Sequence, residues 1–229
     1  MTLRKLAVVT GAAGFIGSHM VDLLLAKGYR VHGIDNLSSG RLENLIQHQN
    51  DPEFRILEKD LCDLDPDDAV VRGAEYIFHF AGIGDIVPSI QNPIDYMSAN
   101  IMGTVRALEA ARSAGVRKFV YAASSSCYGL ASELPTTEMA QIDPKYPYAL
   151  SKYLGEQAVL HWGKLYRLPV NSIRIFNAYG PRSRTTGSYG AVFGVFLAQK
   201  LANHPFTVVG DGTQKRDFVF VSDAARAFL

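Results

Sequence analysis

Eight residues, Thr10-Gly11-Ala12-Ala13-Gly14-Phe15-Ile16-Gly17, place three glycines between a buried-strand run, Leu6–Thr10, and an amphipathic stretch starting at Phe15. A strand that turns through glycines and re-enters as a helix is the opening of a βαβ unit. Gly11 allows the sharp turn, Gly14 lets the backbone approach an anion, and Gly17 permits close helix–strand packing. The free N–H groups and dipole at the helix start, over Phe15 and Ile16, then favour a pyrophosphate. Asp35 closes the next strand run, Arg30–Asp35, at the spacing of about 20 residues expected for a ribose-binding acid. An acid there accepts hydrogen bonds from both ribose hydroxyls and repels a 2′-phosphate, which favours NAD over NADP; a solvated residue at a strand end is the alternative.

The same alternation continues. Strands are expected over Phe54–Glu58, Tyr76–Phe80, Lys118–Ala123 and Val170–Phe176, and helices over Phe15–Lys27, Ile101–Ser113 and Tyr148–Leu165. Repeated βαβ units imply an α/β fold, a doubly wound parallel sheet of Rossmann type with helices on both faces. The last third reads differently. Residues Asn177–Gly190 form a Gly-, Arg-, Ser- and Thr-rich loop, followed by an apolar helix over Ala191–Ala202 and a short strand over Phe206–Val209. A final strand, Phe218–Val221, leads into a helix capped by Ser222-Asp223 that runs to Leu229. The expected division is a dinucleotide-binding domain over residues 1–176, with the start of a substrate-binding region, interleaved with it, over residues 177–229.

Charge excludes some classes. With 23 Lys+Arg against 22 Asp+Glu, there is no basic excess to drive binding to nucleic acid or to an anionic membrane surface. Cys62 and Cys127 are too few for a disulfide framework, and nothing pairs them as metal ligands. No apolar stretch approaches the roughly 18–20 residues that span a bilayer, and Met1–Leu6 shows no signal region. The expected location is the cytoplasm.

Tyr148-Ala149-Leu150-Ser151-Lys152 sets a phenol and an ammonium on one helix face. A Tyr is a poor base at neutral pH, and a nearby Lys cation, helped by the positive nicotinamide ring, is expected to lower its pKa. Alone, such a spacing also describes an ordinary surface pair. Ser124, at the end of the fifth strand, adds an alcohol that would hold the same substrate oxygen; a capping loop over Ser124–Ser126 is the alternative. Ligands of doubly wound sheets sit at the carboxyl ends of the strands. Positions 11, 35, 81 and 124 are therefore expected in one crevice. Asp60-Leu61, after the third strand, stands where an adenine amino group would be held or where an Asp turn occurs, and Ala81-Gly82 are small enough for the backbone to line a dinucleotide.

With the glycine turn, Ala123-Ser124-Ser125-Ser126-Cys127-Tyr128-Gly129, Tyr148/Lys152 and Arg174-Ile175-Phe176-Asn177-Ala178-Tyr179-Gly180-Pro181-Arg182, the chain resembles the extended short-chain dehydrogenase/reductases from Leu6 to Leu229. Among them it is most similar to the nucleotide-sugar 4-epimerases. The resemblance implies NAD as cofactor, a nucleoside-diphosphate hexose as substrate, and a homodimer formed through the Ile101–Ser113 and Tyr148–Leu165 helices. It also implies that much of a C-terminal substrate domain is missing from this chain. By position it assigns Gly11, Gly14, Phe15, Ile16 and Gly17 to the cofactor turn; Asp35, Asn36, Ser38 and Gly40 to the ribose loop; Asp60 and Leu61 to adenine; and Ala81 and Gly82 to the strand-four cofactor stretch. Asn100 supports the site. Ser124, Tyr148 and Lys152 form the catalytic triad, with Tyr148 and Lys152 also meeting the cofactor. Asp85, Ser124, Ser125, Ser126, Asn177 and Arg216 face the substrate, the last two at its diphosphate.

Two departures discriminate within the resemblance. Related 4,6-dehydratases follow the catalytic hydroxyl with Asp-Glu, where this chain has Ser125-Ser126. The 3,5-epimerase relatives need a Cys at position 126, and Cys127 falls one place late, facing elsewhere. Asp85 is unusual over the sugar: it would bind hydroxyls or an amino group and disfavour a uronic acid, unless it is simply a solvated loop acid. The leading expectation is C4 inversion through a transient 4-keto sugar. The rivals are a 4,6-dehydratase or 4-ketoreductase and a non-catalytic NAD-binding protein.

Overall fold

The structure is a computed structural model and describes residues 4–131, 133–184, 192–208 and 210–229. Six strands form one parallel sheet: β1 (Leu6–Thr10), β2 (Arg30–Asp35), β3 (Phe54–Glu58), β4 (Ala74–His79), β5 (Lys118–Ser124) and β6 (Val170–Ile175). Their spatial order is β3-β2-β1-β4-β5-β6. The chain reverses its direction of winding between β1 and β4, so the carboxyl ends of those two strands flank a crevice. The expected Rossmann-type sheet is thereby found.

Alternation sorts the strand residues onto two cores. Val8, Ile34, Ile77, Phe119 and Tyr121 face one side with Leu108 and Val159. Ala7, Val9, Val31, Phe78 and Val120 face the other with Met20, Val21 and Leu24. Both faces are covered, which is why these strands read as nearly continuous apolar runs. Leu24, Ile34, Ile77 and Leu108 are at most 1 % exposed, each burial worth about 1.5–3 kcal/mol.

The helix α1 (Phe15–Ala26) covers β1 and β2. Two short helices, α2 (Ile86–Gln91) and α3 (Pro93–Met97), were not expected from the sequence. The expected helix over Ile101–Ser113 begins earlier: α3 passes through a π-type turn, Ser98–Met102, into α4 (Gly103–Ala114). The next helix, α5 (Pro147–Tyr166), starts on a proline at its first position, where a missing N–H costs nothing. It packs on α4, β5 and β6.

Beyond β6 the reading needs correction. Asn177–Tyr179, expected as loop, is strand β7, and it pairs in parallel with β8 (Phe218–Phe220). The expected strand at 206–209 is irregular over its described residues. Phe206 stacks on Phe196 at 4.9 Å, and Thr207 bonds the Gln199 side chain, so helix α6 (Val192–Leu201) captures the segment before any strand partner does. Residues 185–191 and 209, parts of the expected loop, helix and strand, lie outside the described residues. The last helix, α7 (Val221–Phe228), starts one residue before the expected Ser222 cap, with Phe220 at the cap position and no side-chain bond there. It packs on α1, and Ala225 and Phe228 are buried in the core beside Phe80.

Candidate active site

The carboxyl ends of β1, β2, β3 and β4 open onto one crevice lined by Gly11, Gly14, Asp35, Asn36, Ser38, Asp60, Leu61, Ala81 and Gly82, with Ser39, Lys59, Ile83 and Ala99, which the sequence reading missed. Gly11 has φ +68°, and a Cβ there would stand 2.7 Å from the Ala81 nitrogen, so only glycine lets the two strand ends meet. At Gly17, inside α1, a Cβ would fall on the Gly11 carbonyl oxygen. No side chain caps the start of α1, where Phe15 and Ile16 contribute first-turn N–H groups. Gly17→Ala is expected to weaken NAD binding about tenfold or more and to destabilise the fold by about 1–3 kcal/mol of overpacking. Calorimetric titration with NAD and a denaturant melt check both, and wild-type values would remove the packing argument.

Asp35 is buried, and its carboxylate oxygens accept the Ala13 and Leu37 N–H groups, each at 2.9 Å. Burial raises its pKa, and those two bonds oppose the rise. Each oxygen keeps a lone pair for a ribose hydroxyl. Gly40 packs against the same carboxylate. Asn36 accepts from the Ser38 N–H and hydroxyl and donates to Asp60 at 2.7 Å. The Asp60 carboxylate also accepts the Cys62 N–H at 2.8 Å, which holds its pKa down. An adenosine fits this polar loop, and a pyrophosphate fits the glycine cradle; the residues present suit a dinucleotide.

Ser124 ends β5, and a 3-10 turn, Ser125–Tyr128, follows it. The Tyr148 phenol, in the first turn of α5, lies 3.3 Å from the Ser124 hydroxyl and donates to it. Ser124 and Ser126 share a hydrogen bond of 2.8 Å, and the Ser126 N–H also donates to the Ser124 oxygen. Lys152 is 7 % exposed, and its ammonium lies 4.4 Å over the Tyr121 ring, against the end of β4 at Gly82. Burial pushes its pKa down to about 7, opposed by the Glu156 carboxylate one turn on. Burial also raises the Tyr148 phenol, with the Ser124 hydrogen bond acting against it. Burial dominates at both groups, so the protein alone does not bring the phenol down, and the expected lowering draws on the nicotinamide charge as well as on Lys152.

Asn100 is fully buried in the π-type turn, and its amide is consumed by the protein. It accepts from Ile83 N–H at 2.8 Å and donates to the Ile83 carbonyl and to Ser151. It therefore ties the loop after β4 to α5 and acts through those neighbours. Behind it lies a relay that the sequence did not reveal. Thr104 donates to the Asn100 carbonyl at 2.7 Å, which leaves its oxygen to accept from His79 Nε2–H. His79 Nδ1 is then bare and accepts from Thr10, which accepts from Ala81 N–H. The surrounding hydroxyls thus set a neutral tautomer. Burial, with Lys152 adding to it, lowers the His79 pKa from 6.5 to about 3.

Between those two values the unfolded chain binds the proton and the folded chain does not. Stability is therefore expected to be complete above about 6.5 and to fall as pH drops toward 3. His79→Gln keeps a donor and an acceptor but cannot titrate, so its Tm should depend less on pH across that window. An unchanged slope would remove His79 as the source.

The substrate-side residues are less completely assembled. Asn177, in β7, donates to the Asp217 carbonyl at 2.8 Å, tying β7 to the segment before β8. Arg216 is exposed and donates to the Lys215 carbonyl; no contact joins it to the triad among the described residues. Asp85 precedes α2 and pairs with Arg184 at 2.6 Å, a partner 99 positions away that no local pattern announces. Tyr96 stands edge-on to Tyr148 at 6.4 Å between ring centres. Among the described residues there is no cluster of metal-ligating side chains and no helix long and apolar enough to cross a membrane.

A parallel sheet with a glycine cradle at its winding reversal, and a Ser–Tyr pair with a buried Lys beside it, defines a dinucleotide-dependent α/β enzyme. The sequence profile of the NAD dependent epimerase/dehydratase family matches residues 7–229, and the chain belongs to that family. It is 42 % identical over 224 residues to the UDP-glucose 4-epimerase of Mycolicibacterium smegmatis, covering 97 % of this chain and 71 % of that one. Among solved structures, the UDP-N-acetylglucosamine 4-epimerase of Methanobrevibacter ruminantium M1, in complex with UDP-N-acetylmuramic acid, superposes with a TM-score of 0.94 at 34 % identity over 98 % of this chain and 72 % of that one. The UDP-glucuronic acid 4-epimerase of Bacillus cereus, in complex with UDP-glucuronic acid and NAD, gives 0.89 at 31 % identity over 96 % and 71 %.

Proposed function

We propose that the chain catalyses reversible inversion at C4 of a UDP-linked hexose through a transient 4-keto sugar. The observation that carries this reading is the Tyr148 phenol, 3.3 Å from the Ser124 hydroxyl, with Lys152 one helical turn on and against the cofactor crevice. NAD+ bound in that crevice supplies reversible acceptance of hydride at C4. Tyr148 takes the C4 hydroxyl proton and later returns it, Ser124 holds the oxygen throughout, and the Lys152 cation offsets the charge on the phenolate. The planar ketone presents its other face before the proton is returned. Ser125 and Ser126 offer no acid–base pair for loss of water, which separates this site from a dehydratase.

The cofactor would be held by the α1 cradle at its pyrophosphate, by Asp35, Asn36, Ser38 and Gly40 at the adenosine ribose, and by Asp60 and Leu61 at adenine. Asn177 and Arg216 are assigned to the substrate diphosphate, where a forked guanidinium suits paired oxygens. A second copy of the chain is expected on α4 and α5; α5 exposes Leu150, Leu154, Leu160 and Leu165, and Met102 is exposed just before α4. Two free cysteines fit a reducing cytoplasm.

Incubation with UDP-glucose and, separately, UDP-N-acetylglucosamine in the presence of NAD, with products resolved by NMR, should give an epimer pair from at least one of them. A stable keto product, or no product from either, would overturn the reading.

A further inference from the structure

The loop after β4 and the loop after β7 are joined by an ion pair, Asp85 to Arg184 at 2.6 Å. Both partners are anchored through the backbone, while their side chains are 36 % and 46 % exposed. Asp85 sits between Ile83, which Asn100 grips from both sides, and the start of α2. The Arg184 carbonyl lies so close to Gly194 of α6 that a Cβ there would stand 2.6 Å from it. The pair also borders the reacting centre. The Asp85 charge reaches the Tyr148 phenol, and both Asp85 and Arg184 act on Tyr96, which stands edge-on to Tyr148.

We propose that Asp85 is a specificity-determining residue: by pairing with Arg184 it withholds that guanidinium from a carboxylate on the sugar and selects neutral hexoses against hexuronates. This inference rests on the UDP-hexose reading above. Tyr148 marks C4, and a hexuronate carries its carboxylate on the carbon two bonds from C4. That carboxylate enters the space bordered by the pair. It meets one acid directly, and the guanidinium that would receive it is already occupied. Specificity of this kind comes from the unfavourable contact with the wrong ligand as much as from any favourable one with the right ligand. A guanidinium released from its partner offers a forked donor pair that matches a carboxylate. Loss of the Asp85 charge therefore turns a repulsive site into an attractive one.

The test is calorimetric titration of the full chain with UDP-glucose and UDP-glucuronate, using wild type, Asp85→Asn, Asp85→Ser, and Asp85→Asn combined with Arg184→Ala. The expected result is a preference for UDP-glucose in wild type. Both single variants should shift the affinity ratio toward UDP-glucuronate by about tenfold or more, and the Arg184→Ala background should abolish that shift. Asp85 makes no side-chain cap bond at the start of α2, so neither Asn nor Ser removes one, and agreement between them separates the charge effect from a local distortion. A wild-type chain that binds the two sugars equally would overturn the proposal. So would an unchanged ratio in the single variants, or a shift that survives loss of Arg184. Turnover read in parallel keeps the two levels distinct: wild type inactive on every neutral UDP-hexose, with the binding ratio shifting as described, would defeat the epimerase reading and leave the charge selection standing. Binding of neither sugar by wild type would defeat both.

Discussion

Tyr148→Phe is expected to lower turnover of a UDP-hexose by roughly 10²–10⁴-fold, the range for loss of a positioned acid–base group. The substitution removes one oxygen from a half-buried ring that stays packed edge-on against Tyr96, so neither the fold nor the crevice should change. NAD binding should survive, because the cradle around Gly11 and Asp35 lies on other elements. Ser124 loses a donor but keeps the Ser126 hydroxyl and N–H as partners. The measurement is turnover beside the NAD content of purified protein. Retained activity would end the acid–base assignment, and lost NAD would show that the phenol acts in binding instead.

Glu156→Ala should give the largest loss of stability, about 3–5 kcal/mol. Glu156 is 4 % exposed and takes the Arg174 guanidinium at 3.0–3.1 Å and the Ser172 hydroxyl at 2.8 Å, linking α5 to β6. Removing the carboxylate strands a charge whose pKa is raised by Tyr128 and Glu156 together. Arg174 retains Tyr128 at 2.7 Å, which places the loss at the lower end of that range. Replacing both partners, Glu156→Leu with Arg174→Met, should recover most of it, since no charge is then left unpaired. Urea denaturation decides the matter. A loss below about 1 kcal/mol in the single variant would mean that water reaches the guanidinium.

Local chemistry carried the sequence reading where the chain's own pattern decides the outcome. β1, β2 and β3 begin and end where expected: β1, covered on both faces, is apolar up to Thr10, and β2 and the edge strand β3 carry enough β-branched and aromatic residues between polar ends to mark them. The glycine turn, Asp35, Ser124 and Tyr148 could be named for the same reason, since each sits at a strand end or in a helix's first turn. Partners distant in sequence could not. Nothing near Asn177 announces a strand, since β7 exists only through pairing with β8 about forty residues on. Phe206 has strand propensity but finds Phe196 before a strand partner. The His79 relay draws on three separate stretches, and Asp85 and Arg184 meet only in the folded chain. One signal was available and went unread: Glu156 stands four residues after Lys152, on the same helix face.

The docking of α7 on α1 has a consequence for how the protein is made. Phe228 packs on Phe80 at 4.6 Å, and Ala225 fills the same layer as Val21 and Leu24. As the nascent chain leaves the ribosome, the first helix therefore keeps an apolar flank bare until residues 221–228 have themselves emerged and can dock on it.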